Sequence, residues 1–287
     1  MNSLIPVCPP QPELLKHLQG KKVVFRIGSI DLIPGTVELG QKYDTHIHSL
    51  IVLSKVPVAD VSFAKEYRDL PVALFSPRLG RFRDLVPRLQ ILKQMNIRIY
   101  LPFDTDQNIS GLRILSSLGI ASTAVLKHPN IDWERLSDLM VYALLGIVPR
   151  APIDPFQYLA DRYSPNARND FSAVYFDDPS RYVHVDDNGH IALSSRELAD
   201  RKFIADSISE LHFLTENRLY LDRLESWRRF FLQTEGCAFC EAWRICLGKF
   251  NSNNGLDHGC SVFFKEFLET IEQYRSLKVK KAELWQP

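Results

Sequence analysis

The chain has 287 residues, of which 45% are hydrophobic and 24% charged, as in an ordinary globular protein. This length predicts one large domain or two smaller ones. The net charge of +1 gives no field that would favour nucleic acid or an anionic membrane. No apolar run approaches the roughly 20 residues that span a bilayer, and the N-terminal residues lack a signal-peptide pattern. We therefore expect a cytoplasmic protein with neither nucleic-acid nor membrane partners.

The first 165 residues alternate between apolar runs and segments with helical spacing. Residues 1–20 are expected to be a proline-rich lead-in with a short helix, and the glycine- and proline-rich residues 28–44 a loop. The apolar runs predict five strands, at 23–27, 48–54, 71–76, 97–102 and 120–126. The helical spacing predicts helices at 81–96, 108–118, 132–145 and 154–163. This alternation predicts an α/β fold with a parallel sheet, either a partial (β/α) barrel or an open doubly wound sheet.

The pattern changes near residue 165, which we take as the boundary between a first domain, residues 1–165, and a second, residues 166–287. Residues 171–178 predict a sixth strand. The next two alternating runs are joined by Asp187-Asn188-Gly189, which is a strong β-hairpin signal. Largely helical structure is expected over 197–233, followed by a cysteine-rich segment and a last helix over 262–277.

Four of the five cysteines lie close together near the C-terminus, and only Cys8 lies upstream of them. The first two have C-x2-C spacing, a third follows after five intervening residues, and a fourth opens the last predicted helix. Four thiolates cannot be gathered in one place without a cation. The spacing of Cys237, Cys240, Cys246 and Cys260 therefore predicts either a zinc site or an iron–sulfur cluster. It also argues against an extracellular disulfide framework.

The C-x2-C-x5-C pattern, followed by a Gly-Cys that opens a helix, resembles the C-terminal SPASM domain of radical-SAM peptide-modifying enzymes. The hairpin sequence VHVDDNGHIALSS is similar to the hairpin that precedes the cysteines in that family. The resemblance covers most of the chain and is specific in residues 184–262. It implies a radical-SAM-like partial (β/α) barrel in residues 1–165 and an α+β, cysteine-rich SPASM-like domain in residues 166–287.

The chain departs from this family in its cysteines. The loop after the first predicted strand lacks the C-x3-C-x2-C motif that binds the cluster which cleaves S-adenosylmethionine. Phe250 stands where the full SPASM pattern has a cysteine, and the hairpin residues 192–195 lack one as well. By this correspondence the chain retains one complete ligand set for an auxiliary [4Fe-4S] cluster, with Zn²⁺ as the alternative: Cys237, Cys240, Cys246 and Cys260. No S-adenosylmethionine cluster is expected.

The resemblance therefore implies a pseudo-radical-SAM protein, an accessory in the modification of ribosomally synthesised peptides. Such a protein would bind a precursor peptide, a catalytic radical-SAM partner, or both. We do not expect it to cleave S-adenosylmethionine alone, and we expect a subunit of a peptide-modifying complex whose catalytic residues are unassigned. A zinc-stabilised interaction module is an alternative that stays open.

A second alternative is a metal-dependent hydrolase that uses His46 and His48. The residues Asp44-Thr45-His46-Ile47-His48 resemble the D-x-H-x-H of metal-dependent amidohydrolases, in which the histidines end a barrel strand. Here the apolar run follows the histidines, which predicts that they lie at the N-terminal end of a strand. Lys127-His128 follows the fifth predicted strand and is a candidate for a later ligand. Four acids after predicted strands are candidates to line a cavity or cap helices: Asp104, Asp106, Asp177 and Asp178.

Overall fold

The computed structural model describes residues 4–63, 67–126, 131–146, 148, 150–169, 171–233, 235–250 and 258–284. The strands within these residues are β1 (Ile5–Cys8), β2 (Lys22–Ile27), β3 (His46–Leu53), β4 (Val72–Phe75), β5 (Ile97–Pro102), β6 (Ser122–Val125), β7 (Ile153–Asp154), β8 (Tyr182–Val185) and β9 (Ile191–Ala192). The α-helices are α1 (Pro12–Leu15), α2 (Ile33–Lys42), α3 (Phe82–Leu85), α4 (Leu89–Gln94), α5 (Asp106–Ser117), α6 (Trp133–Leu145), α7 (Phe156–Arg162), α8 (Ser195–Ala199), α9 (Arg218–Arg228), α10 (Glu235–Ala238), α11 (Trp243–Cys246) and α12 (His258–Leu284).

The described strands form a sheet in the order β7-β6-β5-β4-β3-β2-β1-β8-β9. The pairs β1–β2, β1–β8, β2–β3, β3–β4, β4–β5 and β6–β7 are parallel. From β7 to β1 the spatial order follows the sequence without reversal. A doubly wound sheet reverses its order at a switch point, so this strand order agrees with the predicted partial (β/α) barrel rather than with the doubly wound alternative.

The hairpin of β8 and β9 joins this sheet through β1, because Val7 of β1 pairs in parallel with His184 of β8. The hairpin prediction is confirmed by the antiparallel pairing of β8 and β9. At its turn, the Asp186 carboxylate accepts the backbone N–H groups of Asn188 and His190, both at 2.9 Å. The prediction of an irregular lead-in before the first helix is wrong for Ile5–Cys8, because these residues form strand β1 and are all buried. This four-residue segment is too short for a periodic signal, and only its pairing with two neighbours makes it a strand.

The predicted loop over residues 28–44 is also wrong, since α2 occupies most of it after a 3₁₀ turn at Ile30–Leu32. Pro34 lies in the first turn of α2, where the missing N–H would have no helical partner. Gly40 is buried, and a Cβ built there would lie 3.2 Å from the Ile47 side chain of β3. Two of the residues that indicated a loop, Pro34 and Gly40, therefore occupy positions where a helix tolerates them.

The prediction of largely helical structure over 197–233 is confirmed, since α8, α9 and 3₁₀ turns make up most of this stretch. A further prediction needs correction. Residues 171–178 do not form a strand, because Phe171–Tyr175 is a 3₁₀ helix. By contrast, α6 begins where predicted: Asp132 caps it by accepting the backbone N–H of Arg135 at 3.2 Å.

The chain separates into two compact units, each built from two stretches of sequence. The first contains Met1–Tyr100 and Tyr175–Trp227, and the second contains Leu101–Val174 and Arg228–Pro287. The predicted boundary near residue 165 is not among these dividing points, and the division into domains 1–165 and 166–287 stays a prediction. Of the helices in the described part of the chain, none has the length and apolar character that crossing a membrane requires.

The core of the first unit rests on one face of the sheet. Phe25, Leu50 and Val72 occupy paired positions on β2, β3 and β4, and at most 3% of each is exposed. Apolar contacts across neighbouring strands are a main source of sheet stability.

Phe25→Ala is expected to lower the free energy of unfolding by about 3–5 kcal/mol, because it removes a fully buried ring and leaves a cavity. The matched control is Phe213→Ala in the same unit, where 68% of the side chain is exposed and a change of about 0.5 kcal/mol or less is expected. Urea unfolding followed by circular dichroism measures both. Equal losses in the two variants would contradict this assignment of the core.

Candidate metal centre

The four predicted cysteines line one cavity in the second unit. Cys237 lies in α10, Cys240 in the turn that follows, Cys246 at the end of α11 and Cys260 in the first turn of α12. The cavity has a volume of about 30 Å³, more than the roughly 10–15 Å³ that one water needs. Its other lining residues are Gly236, Trp243, Gly248, Phe250, Ser261 and Phe264. The structure thus brings together thiols that are up to 23 positions apart in the sequence, counting from 237 to 260.

The backbone turns sharply after Cys246 and points a donor at its sulfur. Leu247 and Gly248 both have left-handed backbone angles, with φ of 52° and 77°. The turn places the Gly248 N–H 3.4 Å from the Cys246 Sγ, to which it donates. A Cβ built on Gly248 would lie 2.9 Å from the Cα of Phe231. Only glycine therefore combines this backbone angle with this close approach.

Aromatic side chains form the wall behind the cysteines. Phe250 and Phe264 line the cavity, and their ring centroids lie 6.2 Å from that of Trp133. Gly259 allows α12 to begin directly against Trp133, since a Cβ there would lie 2.2 Å from the indole Cδ1. This contact positions Cys260, the next residue. The result is an apolar wall that keeps water away from one side of the thiols.

Burial divides the four thiols into two pairs. Cys237 and Cys246 are only 8% and 7% exposed, whereas Cys240 and Cys260 are half-buried. Burial, together with the smaller effect of the charges of the other three cysteines, raises the pKa of Cys246 to about 12, although the hydrogen bond from the Gly248 N–H opposes the rise. Without a cation, this cavity therefore opposes the thiolate form that metal binding requires.

Four cysteine thiols are a donor set that fits either an iron–sulfur cluster or a zinc ion. None of the five cysteines, all within the described residues, forms a disulfide. In the part of the chain that is described, no group of three or more His, Cys, Asp or Glu side chains is arranged to hold one metal ion. A single zinc draws its sulfurs to about 3.8 Å from one another, as follows from tetrahedral Zn–S bonds of about 2.3 Å. A cubane cluster instead binds each thiolate to a different iron, so its sulfurs stand farther apart.

The histidines of the hydrolase hypothesis lie at the N-terminal end of β3, as predicted. His46 is exposed at the first position of the strand, and His48 is half-buried. The pKa of His48 is lowered by burial and by the nearby cations Arg181 and Lys22. No metal-holding group includes either histidine among the described residues. Lys127-His128 lies outside the described residues.

The four acids after predicted strands are engaged within the fold. Asp104 accepts a hydrogen bond from the Asn108 side chain at 3.0 Å, and Asp106 pairs with Arg135. The Asp178 carboxylate accepts the Ser180 hydroxyl at 2.6 Å. These contacts give the acids structural roles at helix starts and turns.

Asp177 holds the hairpin and α8 together. Its carboxylate oxygens lie 3.0 Å from the His184 Nε2 and 3.0 Å from the Ser195 hydroxyl, and the Ser195 N–H donates at 2.9 Å. Burial alone would raise the pKa of Asp177, but these hydrogen bonds lower it below its usual value. His184 and Ser195 were not singled out by sequence, because their link to Asp177 exists only in the folded chain.

No protein-family model matches the chain, and no curated protein matches its sequence. Among solved structures it is similar to the crystal structure of SuiB from Streptococcus suis bound to S-adenosylmethionine. That match has a TM-score of 0.51 and 12% identity, and covers 84% of this chain and 70% of the other. A further structure of S. suis SuiB has a TM-score of 0.48 and 11% identity, and the match covers 84% and 72%. The first match confirms the radical-SAM-like α/β fold, while the SPASM-like character of the C-terminal part stays a prediction.

In the metal-free protein, alkylation by iodoacetamide is expected to modify Cys240 and Cys260 before Cys246. A pKa of about 12 leaves roughly one Cys246 thiol in ten thousand ionised at pH 8, and the reaction should accelerate as the pH rises towards that value. Buried Cys8, whose pKa is also raised to about 12, serves as the internal reference. Peptide mass spectrometry at successive times measures the order in which the cysteines are alkylated. Modification of Cys246 at pH 8 as fast as that of Cys240 would contradict this account.

Gly248→Ala is expected to destabilise the protein more than Gly20→Ala does. Both glycines have a left-handed backbone, which costs alanine about 1–2 kcal/mol, but a Cβ on Gly20 meets nothing within 4 Å. The close approach to Phe231 adds about 1–3 kcal/mol at Gly248. Urea unfolding measures the loss of unfolding free energy in each variant. Equal losses in the two variants would show that the turn after Cys246 accommodates a Cβ without added cost.

Proposed function

We propose that this chain is an accessory protein of peptide modification, a pseudo-radical-SAM protein that holds one auxiliary [4Fe-4S] cluster. The ligands are Cys237, Cys240, Cys246 and Cys260. The protein binds a precursor peptide, a catalytic radical-SAM partner, or both, and it works in the cytoplasm, where thiols stay reduced. The observation that carries the proposal is the gathering of four thiols around one cavity with an aromatic wall.

Two features of the cavity support a cluster. Its proposed ligands are all thiolates, the softest donors that a protein has, and these suit iron–sulfur chemistry. The Gly248 N–H donates to the Cys246 sulfur, and such hydrogen bonds tune the reduction potential of a cluster.

The chain's own residues would protect and position the cluster. The wall of Phe250, Phe264 and Trp133 excludes water on one side, while the half-buried Cys240 and Cys260 leave the other side nearer to solvent. A bound cluster of this kind supplies either electron transfer or a rigid cross-link between chain segments.

Cleavage of S-adenosylmethionine by this chain alone is not part of the proposal. The SuiB structure holds that molecule. Its reductive cleavage needs a second cluster with an open iron position, and the sequence offers only Cys8 outside the proposed ligand set. Cys8 is fully buried in β1. A separate catalytic subunit must therefore perform the chemistry.

Anaerobically purified protein is expected to contain about four iron and four sulfide per chain, with a broad visible absorbance that bleaches on reduction. Cys246→Ala removes a ligand and should abolish most of this content. Cys8→Ala makes the same chemical change at a buried cysteine in the other unit and should leave the content intact. Iron, sulfide and zinc are measured on the same samples.

A colourless protein with one zinc per chain would contradict the cluster and favour the zinc-stabilised interaction module. Metal that survives Cys246→Ala but is lost in a His46→Ala, His48→Ala double variant would favour the metal-dependent hydrolase. Co-purification of a catalytic subunit from the native host supports the accessory role, and peptide modification by the purified chain alone would contradict it.

A further inference from the structure

In the first unit, residues 53–60 at the end of β3 and residues 76–88 after β4 pack into one surface, which we call the platform. A Cβ built on Gly80 would lie 2.8 Å from the Cβ of Ala59, and the Arg88 guanidinium donates to the Ala59 carbonyl. These contacts hold the two segments together. The platform lies where the parallel strands end, which is the end at which (β/α) folds carry their ligand sites.

The platform is basic, although the chain as a whole is nearly neutral. Its two segments contain five Lys and Arg residues and two Asp residues, whereas the net charge of the whole chain is +1. Lys55 and Arg78 are exposed, and among the described residues neither charged group has an ion-pair or hydrogen-bond partner. Arg81 and Arg83 share the carboxylate of Asp84, at 2.7 and 3.6 Å, and remain 69% and 73% exposed. The platform therefore presents more positive charge than its own carboxylates neutralise.

Apolar side chains are exposed among these cations. The Val86 N–H donates to the Phe82 carbonyl, so these two side chains lie one helical turn apart on the same side of α3. Single exposed apolar residues are ordinary, but a group of them rimmed by charged residues marks an interaction surface. Four such residues on the platform are between 44% and 48% exposed: Leu53, Val56, Phe82 and Val86.

We propose that the platform binds an acidic peptide segment that also carries apolar side chains. The carboxylates of the peptide pair with Lys55 and Arg78, and its apolar side chains pack on Phe82 and Val86. A guanidinium has five N–H donors arranged to match a carboxylate, and an ammonium group has three. This inference rests on the proposed function, because it names the chemistry of the peptide that the protein would bind.

The observations favour a peptide over an anionic membrane surface. Basic segments that bind anionic lipid present clusters of roughly four to eight cations. On the platform, Arg81 and Arg83 already share a carboxylate within the chain, which leaves Lys55 and Arg78 as the cations without one. Two such cations beside a small apolar group suit a short segment with a few carboxylates.

The test uses the anaerobically purified full chain and two fluorescein-labelled synthetic peptides. One peptide is rich in Glu, Leu and Phe, and the other has Gln in place of every Glu. Fluorescence anisotropy is expected to show about fivefold tighter binding of the glutamate peptide, since each exposed ion pair contributes modestly. The preference should shrink as the ionic strength is raised above about 0.1 M. Equal binding of the two peptides would overturn the inference, and this comparison needs no variant to fold.

A Lys55→Gln, Arg78→Gln double variant is expected to lose most of the preference for the glutamate peptide. The matched control is a Lys202→Gln, Arg218→Gln double variant, which removes the same two charges from side chains that are 62% and 95% exposed in the same unit. The control should keep the preference. An unchanged preference in the folded Lys55→Gln, Arg78→Gln variant would overturn the assignment of the peptide to the platform.

Phe82→Ala is expected to weaken the binding of both peptides about threefold, because it removes apolar contact area and leaves the cations in place. Phe213→Ala makes the same change at a phenylalanine that is 68% exposed in the same unit, and it should leave binding unchanged. Equal affinities of the two variants for the peptides would contradict the role of Phe82.

Vesicles of phosphatidylcholine and phosphatidylglycerol test the membrane alternative, and the chain is not expected to sediment with them. Sedimentation that depends on Lys55 and Arg78, without a preference between the peptides, would overturn the inference in favour of a membrane surface. Iron and sulfide are measured on the sample used for binding. A chain that carries its cluster but does not distinguish the peptides would overturn only the acidic-peptide inference. A chain without iron would overturn the cluster proposal, whatever the peptides show.

Discussion

The central constraint on the site is the cost of ionising four thiols that share one apolar cavity. Burial penalises each charge, and thiolates repel one another. The pKa of about 12 at Cys246 reflects mainly its burial and also the charges of the other three cysteines. A multivalent cation would offset this cost, because metal binding converts the repelling groups into ligands. The tight turn at Gly248 and the aromatic wall are what such a site needs to fix its sulfurs and exclude water.

The fold serves this constraint through the long helix α12. The start of α12 packs against Trp133 at Gly259, which places Cys260 beside the three cysteines of residues 237–246. Further along, Phe263 and Phe267 are buried, so the same helix anchors the core of the second unit. One helix therefore both positions the fourth proposed ligand and closes a core.

The sequence revealed the strands with long apolar runs and the cysteines with their spacing, because both signals are local. It missed β1, whose four residues become a strand only between β2 and β8. It also missed α2, since Pro34 and Gly40 indicate a loop unless their places in the helix are known. In the site, the convergence of the four cysteines was predicted and they line one cavity, but the nearby Trp133 and Phe264 were not predicted. The aromatic residues around a cavity come from distant parts of the chain and follow no fixed sequence spacing. The glycine two residues after Cys246, by contrast, could have indicated the tight turn there.

X-ray absorption at the iron and zinc edges of the anaerobically purified protein tests the central claim most directly. We predict iron whose nearest neighbours are sulfur, with iron–iron scattering beyond them, as in a [4Fe-4S] cluster held by four cysteines. Zinc with four sulfurs at about 2.3 Å and no metal–metal scattering would contradict it.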